Sequence, residues 1–388
     1  MSASSPVPHP YFALLLQTKR VFSPASFAEK LVAWFDKSQR DLRWRQAHNA
    51  TDPYRILVSE VMLQQTTVAA VGPFYERFLN RFPNSNSLAE ADEADVLTQW
   101  AGLGYYARAR NLHKAAKAIQ SEHGGIFPRE LDEILALPGV GRYTAGAVAS
   151  IAYNSRAPIV DANVARVLSR ILPVEGDLKT SKNQAALWDA ATQIVQVESV
   201  EPHTVNPAMM ELGALICTPK NPRCPVCPVS DNCQAQKQNR QNELPFIPPK
   251  KAPTPMFDVC ALAQDATGRI LLRQRPNNAD IWWQGMWELP RTTRSEGESS
   301  TEALIRLGQE LGCAFVPQTR AITVKHGVTR YAIELECWRV QANQPAESET
   351  LKWIGTEEAD NLAMPSVMRR LFERFAPNRT SSEQLSLL

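Results

Sequence analysis

The residues best suited to chemistry begin in the run LPGVGRYTAGAVASIAYNSRAPIVD, from Leu137 to Asp161. Gly139 and Gly141 bracket Val140, so this turn carries little side-chain bulk and is expected to present backbone N–H groups outward. Amides at the start of a helix suit a phosphate. The apolar run Ala145–Ile151 predicts a buried helix, and the lone carboxylate of Asp161 follows it. A second acid, Glu60, lies among Ile56, Leu57, Val58, Val61, Met62 and Leu63. Burial there is expected to raise its pKa and keep a proton on it. A phosphate grip beside a carboxylate points to chemistry on nucleic acid. The plainer reading of Asp161 is a helix N-cap before Asn163–Ile171, and that of Glu60 a residue at a helix edge.

Cys217, Cys224, Cys227 and Cys233 follow the spacing C-x6-C-x2-C-x5-C. Four thiolates this close can wrap one tetrahedral metal ion or one cubane cluster, and spacing alone does not separate zinc from iron–sulfur. Lys220 and Arg223 lie inside the loop, where they can meet phosphate.

These groups need a scaffold, and 388 residues with 44% hydrophobic content support more than one domain. Residues 1–23 are expected to be a mobile N-terminal extension, and residues 24–235 a mainly helical domain. In that domain Ser26-Phe-Ala-Glu29 fits a capping box. Helical patterns cover 54–65, 67–80, 93–100, 107–122, 130–136, 143–151, 163–171, 184–196 and 206–216. Residues 236–255, rich in Gln, Asn, Lys and Pro, predict an extended linker. Residues 256–377 read as α+β: strands at 256–263, 269–275 and 331–340, helices at 301–311 and 366–375. Residues 378–388 are expected to be a disordered tail.

The formal net charge of +2 excludes a polycation, so any nucleic-acid surface must be local. Arg40, Arg43, Arg45 and Arg55 with Trp44 form one candidate patch, and Arg108, Arg110, His113, Lys114 and Lys117 another. No apolar stretch is long enough to span a bilayer. Seven cysteines, four of them crowded together, argue against a secreted disulfide framework and for a metal site in a reducing compartment. A cytoplasmic, nucleoid-associated monomer is the expectation.

Several motifs agree on a family. LPGVGRYTAGA (Leu137–Ala147) resembles the helix–hairpin–helix of the endonuclease III superfamily of DNA glycosylases, and VDANVARVL (Val160–Leu168) its catalytic-aspartate segment. The cysteine spacing resembles that superfamily's [4Fe–4S] loop. SEVMLQQT (Ser59–Thr66) and GLGYYARARNL (Gly102–Leu112) resemble adenine DNA glycosylases of the MutY family, and GMWELP (Gly285–Pro290) fits its C-terminal domain. The resemblance covers roughly 24–375. It implies a helix–hairpin–helix glycosylase domain holding one [4Fe–4S] cluster, followed by a Nudix-like domain.

The resemblance also implies roles. Glu60 protonates adenine and later helps activate water, while ionised Asp161 stabilises or captures the sugar cation. A pair of carboxyl groups in opposite protonation states is the general device of glycoside cleavage. Tyr143 and Asn163 orient these groups. Bifunctional members carry a lysine where this chain has Tyr143, and a phenol cannot form an imine. Gln65 and Tyr105 match positions that fill or wedge the stack when the base is extruded. Arg45 and Leu63 match positions lining the adenine pocket. Gly139, Val140 and Gly141 match the phosphate-binding hairpin. The implied substrate is double-stranded DNA with adenine opposite 8-oxoguanine or guanine.

Two departures matter in the C-terminal domain. A Nudix hydrolase needs a glycine pair and then R-E-x-x-E-E to hold magnesium. Here Arg291-Thr292 follow Pro290, and the later segment reads Arg306-Leu-Gly-Gln-Glu310. The domain is therefore expected to bind 8-oxoguanine rather than hydrolyse nucleotides. The family's Phe-Ser-His loop is Val324-Lys325-His326 here, so His326 matches, the serine is absent, and Lys325 and Thr329 are the candidates to replace it. Gln384–Leu388 (QLSLL) resembles the peptide that docks on the bacterial sliding clamp. The alternatives are a bifunctional endonuclease III-like enzyme for oxidised pyrimidines and a non-catalytic, metal-stabilised DNA-binding protein.

Overall fold

The structure, a computed structural model, describes residues 22–46, 49–249, 251–276, 282–343 and 347–376. The expected N-terminal extension, apart from Phe22 and Ser23, and the expected tail lie outside these residues. The described residues form two compact units. One holds residues 22–90 and 111–249, and the other holds residues 91–110 with those after 250. This division departs from the expected 24–235 domain in two places. Residues 91–110 group with the C-terminal residues, and residues 236–249 group with the helical unit.

The helices up to residue 249 are α1 (Pro24–Ser38), α2 (Pro53–Leu63), α3 (Val68–Arg81), α4 (Ser85–Ala89), α5 (Glu93–Trp100), α6 (Ala107–Glu122), α7 (Leu131–Ala136), α8 (Arg142–Tyr153), α9 (Ala162–Ile171), α10 (Ser181–Val195), α11 (Pro202–Leu215) and the short α12 (Gln234–Lys237). Their starts follow local chemistry. Pro24 and Pro53 sit in the first turns of α1 and α2, where no N–H is needed. The Asp52 carboxylate accepts from Tyr54 N at 2.9 Å and Arg55 N at 3.2 Å. The expected capping box at Ser26 is replaced by an earlier start, with Ser23 as the cap and Glu29 accepting from the Ser199 hydroxyl at 2.7 Å.

The core of this unit gathers Phe27, Leu31 and Phe35 of α1, Val164, Val167 and Leu168 of α9, Leu187 and Ile194 of α10, and Val205 and Leu212 of α11. Each such fully buried side chain contributes about 1.5–3 kcal/mol. The expected linker is not free. Leu244 is buried in this core, and its carbonyl accepts from Arg170 Nε at 2.8 Å.

The second unit is built on two sheets. Its strands are β1 (Thr254–Leu262), β2 (Ile270–Gln274), β3 (Trp287–Glu288), β4 (Arg291–Thr293), β5 (Ala314–Val328), β6 (Tyr331–Asn343) and β7 (Leu351–Ile354). They order as β4-β1-β6-β5 and β3-β2-β7, with β1 and β6 parallel and the other pairs antiparallel. The helices are α13 (Ser300–Glu310), α14 (Thr356–Asp360) and α15 (Ser366–Phe375). Because strand side chains alternate, the buried second half of β1, Asp258–Leu262, packs on both faces. Cys260 and Leu262 pack with Met368, Leu371 and Phe372 of α15, while Val259 and Ala261 pack with Leu304 and Leu307 of α13. Residues 91–110 join through side-chain hydrogen bonds. The Thr98 hydroxyl donates to Asn361 O at 3.2 Å and the Tyr106 hydroxyl to Met364 O at 3.1 Å. The α+β class matches the expectation, with β3, β4, β5, β7 and α14 as additions, and in the helical unit α4 and α12 are additions too.

Candidate active site and cluster loop

Glu60 lies on α2, where every residue from Ile56 to Met62 is buried. Only 4% of Glu60 is exposed, and its Oε2 accepts from the Tyr143 hydroxyl at 2.5 Å. Tyr143 is in the first turn of α8, just after the glycine turn, and its hydroxyl also meets Met210 Sδ at 3.8 Å. Burial pushes the Glu60 carboxyl up to about 7. The Tyr143 hydrogen bond pulls it down, the Asp161 charge pushes it up, and Arg45 pulls it down. Tyr143 is itself driven well above the usual phenol value by burial and by the charges of Glu60 and Asp161, so it serves as a neutral donor.

Asp161 is the N-cap of α9. Its Oδ1 accepts from Val164 N at 2.7 Å and its Oδ2 from Asn163 Nδ2 at 3.0 Å. Burial raises its pKa, while these donors, the Asn163 backbone and the Arg166 charge oppose the rise. The N-cap reading of Asp161 therefore holds, and it leaves Oδ2 to Asn163. Capping uses Oδ1, and the start of a helix favours the charged form.

Both acids line one cavity of about 780 Å³, within the range of small-ligand sites. Tyr143, Asn163, Arg45, Leu63 and Gln65 line it too. Seven residues given roles by the family resemblance thus meet around one space. Gln65 is exposed at its rim with a positive φ of 59°.

Three contributors, Glu211, Arg166 and Met210, were not legible in the sequence. Glu211 of α11, fully buried, accepts from Arg40 N, Nε and Nη2 at 2.9, 2.8 and 2.9 Å, and from Arg45 Nη2 at 3.0 Å. Arg166 donates to Asn163 Oδ1, Gly213 O and Cys217 O, each at 2.8 Å. Met210 completes the wall, together with Arg40 of the first basic patch. The partners of Glu211 lie 166 and 171 residues away, so no local pattern marks it.

The hairpin is as expected in shape. Gly139 has φ +74°, and a Cβ there would come 2.4 Å from Asn111 Cβ. One of its amides differs from the expectation. Val140 N donates to Leu137 O at 3.1 Å and the Val140 side chain is buried, so this amide is occupied. The first basic patch dissolves into pairs: Arg40 and Arg45 with Glu211, Arg43 with Glu76, and Arg55 with Asp52. In the second, His113 is buried, Arg110 pairs with Glu93, and Arg108 lies over the Trp100 and Tyr105 rings. Lys114 and Lys117 stay exposed.

Within the second unit, Tyr105 is 53% exposed with φ +50°. His326 stacks on Trp283 at 6.2 Å, and Arg291 covers the same indole at 4.6 Å. Both His326 ring nitrogens are buried without a partner among the described residues. Burial, then Arg291 and Arg370, lowers its pKa to about 4, so the ring is neutral at pH 7. Glu298 and Glu310 are both engaged by Arg306, at 2.8 and 2.9 Å.

Cys217, Cys224, Cys227 and Cys233 line one small cavity of about 20 Å³ with Val167, Ile171 and Leu212. Arg170 Nη1 donates to Cys217 Sγ at 3.2 Å. Among the described residues no three His, Cys, Asp or Glu side chains converge on a single-ion position. The four sulfurs instead border a shared space, next to a guanidinium that offsets the charge of thiolates. Burial pushes Cys227 up to about 12, so deprotonation and cluster binding are coupled. The donor set fits a cluster.

Comparison with known proteins settles that choice. Residues 217–233 match the iron–sulfur binding domain of endonuclease III, and the cofactor is one [4Fe–4S] cluster. Residues 58–193 match the HhH-GPD superfamily of base excision DNA repair proteins, and residues 259–374 match the NUDIX domain. A solved thermostable thymine-DNA glycosylase superposes with a TM-score of 0.50 at 28% identity, over 57% of this chain and 99% of that one. The adenine DNA glycosylase of Rattus norvegicus is 33% identical, over 91% of this chain and 78% of the relative. That of Homo sapiens is 32% identical, over 89% and 73%. That of Buchnera aphidicola (subsp. Acyrthosiphon pisum) is 30% identical, over 91% and 98%. Identity at this level reaches through both units and, in the Buchnera relative, nearly from end to end, so the chain belongs to the adenine DNA glycosylase family.

Proposed function

We propose that this chain is a monofunctional base excision enzyme that hydrolyses the N-glycosidic bond of adenine paired with 8-oxoguanine or guanine. The observation that carries the reading is a pair of acids on one cavity, Glu60 poised near neutrality and Asp161 held by N-cap donors. Glu60 gives its proton to N7 of the extruded adenine, which makes the base a neutral leaving group. The C1′–N9 bond breaks, and the Asp161 carboxylate stabilises the sugar cation or bonds to it transiently. Glu60, now a carboxylate, takes a proton from the attacking water. Tyr143 donates to Glu60 and offers no amine for an imine, so strand cleavage is not part of the reaction. Arg170 and Arg166 of α9 hold Cys217, and with it the loop at 217–233 whose four cysteines would carry the cluster.

Gln65 and Tyr105, both exposed and both at positive φ, are assigned to the vacated stack, and the turn at Gly139–Gly141 to a phosphate. We assign the reading of 8-oxoguanine to the second unit, with neutral His326 as the contributor its unpartnered nitrogens support. Gln384–Leu388, outside the described residues, is assigned to the sliding clamp. Deleting those residues should abolish co-elution with the clamp and leave excision intact.

Single-turnover excision on a duplex with adenine opposite 8-oxoguanine tests the reaction. Abasic product that breaks only after alkali supports it. Strand breaks without alkali favour a bifunctional enzyme, and no abasic product leaves only a DNA-binding protein.

A further inference from the structure

Glu211 is the one fully buried carboxylate that the two-acid reaction does not use, among those lining the cavity. It is held below the ordinary carboxylate range. Burial alone would raise it, but the hydrogen bonds and charges of Arg40 and Arg45 outweigh that cost. Arg40 docks on it edge-on, with Nε on Oε1 and Nη2 on Oε2. Arg45 uses only Nη2, at 3.0 Å from Oε2, while its guanidinium lies over the Phe35 ring at 5.2 Å. Its other terminal nitrogen, Nη1, is buried with no partner among the described residues.

A buried guanidinium donor without an acceptor is unfavourable, and such groups are rarely left so unless something else binds there. Arg45 lines the cavity beside Glu60, Asp161 and Tyr143. Adenine brings ring-nitrogen acceptors, and a planar fork with one edge already anchored meets them without first being ordered.

We propose that Glu211 is a positioning residue for excision, gripping Arg45 so that the unspent Nη1 donor is preset for an acceptor nitrogen of the base. The inference rests on adenine being the base that enters the cavity. Its rival is a purely structural role, in which Glu211 fastens the segment carrying Arg40 to α11.

A double-mutant cycle separates the two, with single-turnover excision and DNA affinity measured for the holoenzyme. Glu211→Gln should lower the excision rate about 10- to 100-fold, the scale of a misplaced contact group, and leave DNA affinity within about twofold. In an Arg45→Met background the same change should cost less than about twofold. Cluster absorbance near ~400 nm confirms that each variant is loaded. Equal losses in both backgrounds would overturn the proposal, as would a loss seen in affinity alone. If Glu211→Gln does not fold, Arg45→Lys decides. It keeps the charge but removes the two-edged fork, and should lose about tenfold in rate. A wild-type rate in Arg45→Lys would overturn the proposal. A wild-type protein that excises no adenine would sink the proposed function instead, and is a separate outcome.

Discussion

Removing the Tyr143 hydroxyl should move the pH at which excision fails, and the direction is fixed by the site. Glu60 must carry a proton to protonate the base, so the rate falls as pH rises through its pKa of about 7. The Tyr143 hydroxyl donates to Glu60 Oε2 at 2.5 Å. A donor stabilises the carboxylate over the acid, so it pulls this pKa down against burial. A hydrogen bond to a charged acceptor is worth about 1.5–3 kcal/mol, and 1.36 kcal/mol is one pH unit, so its loss corresponds to about 1–2 units. In Tyr143→Phe the alkaline limb of the single-turnover pH profile should therefore shift upward by about that much. The plateau rate should also fall, because the carboxyl is less firmly oriented. The assay is excision from duplex DNA between about pH 6 and pH 10, with saturation by enzyme checked at each pH. A limb that stays in place, or moves down, refutes the assignment of that limb to Glu60. The Arg45 charge also lowers the Glu60 pKa, so Arg45→Met should shift the limb in the same upward direction.

Asp161→Asn keeps a side-chain oxygen for Val164 N and so preserves the cap of α9, but removes the charge. Excision should fall at least about 100- to 1000-fold while DNA binding by gel shift stays within a few-fold. Gly213→Ala would set a Cβ 2.6 Å from Asn163 Cβ and 3.0 Å from Asn163 O. It should cost about 1–3 kcal/mol by overpacking and slow excision by displacing the donor to Asp161, and an unchanged Tm and rate would contradict the packing argument. In the second unit, Arg291 is 4% exposed and meets Asp258 at 2.7 Å and Glu288 at 3.1 Å. Arg291→Met leaves those buried acids short of a cation and should cost about 3–5 kcal/mol, read by denaturant unfolding of tryptophan fluorescence.

What was legible in the sequence was what depends on neighbours along the chain. Gly139 needs its positive φ, Asp161 caps the helix it precedes, and the apolar period around Glu60 marks a buried helix. What was not legible depends on long-range pairing. The Tyr143–Glu60 bond spans 83 residues, and the Glu211 clamp spans 171. Charges that read as a basic patch were counted without their carboxylates, which lie far off in sequence for Arg40 and Arg45. β5 was missed because its alternation breaks: the register with β6 shifts between Pro317 and Arg320 and again before Ile322. The segment at 236–249 looked like a linker by composition, yet one leucine, Leu244, and one guanidinium, Arg170, hold it to the helical unit.

The separation of the two acids follows from where each sits on its helix. Glu60 is inside α2, past the turn where a helix dipole would help a charge, and its neighbours along the helix are mostly buried apolar residues. Burial therefore wins, and one hydroxyl is too little to restore an ordinary carboxyl. Asp161 is also buried enough for its pKa to rise, but it stands at the start of α9 with Val164 N and Asn163 Nδ2 as donors. Asn163 is in turn fixed by Arg166, whose other bonds reach Gly213 and Cys217. Glu60 must both release a proton and later recover one, which requires a pKa near the working pH rather than far above it. Tyr143 supplies that restraint: without its hydrogen bond the acid would hold its proton more tightly and serve worse as the base for water.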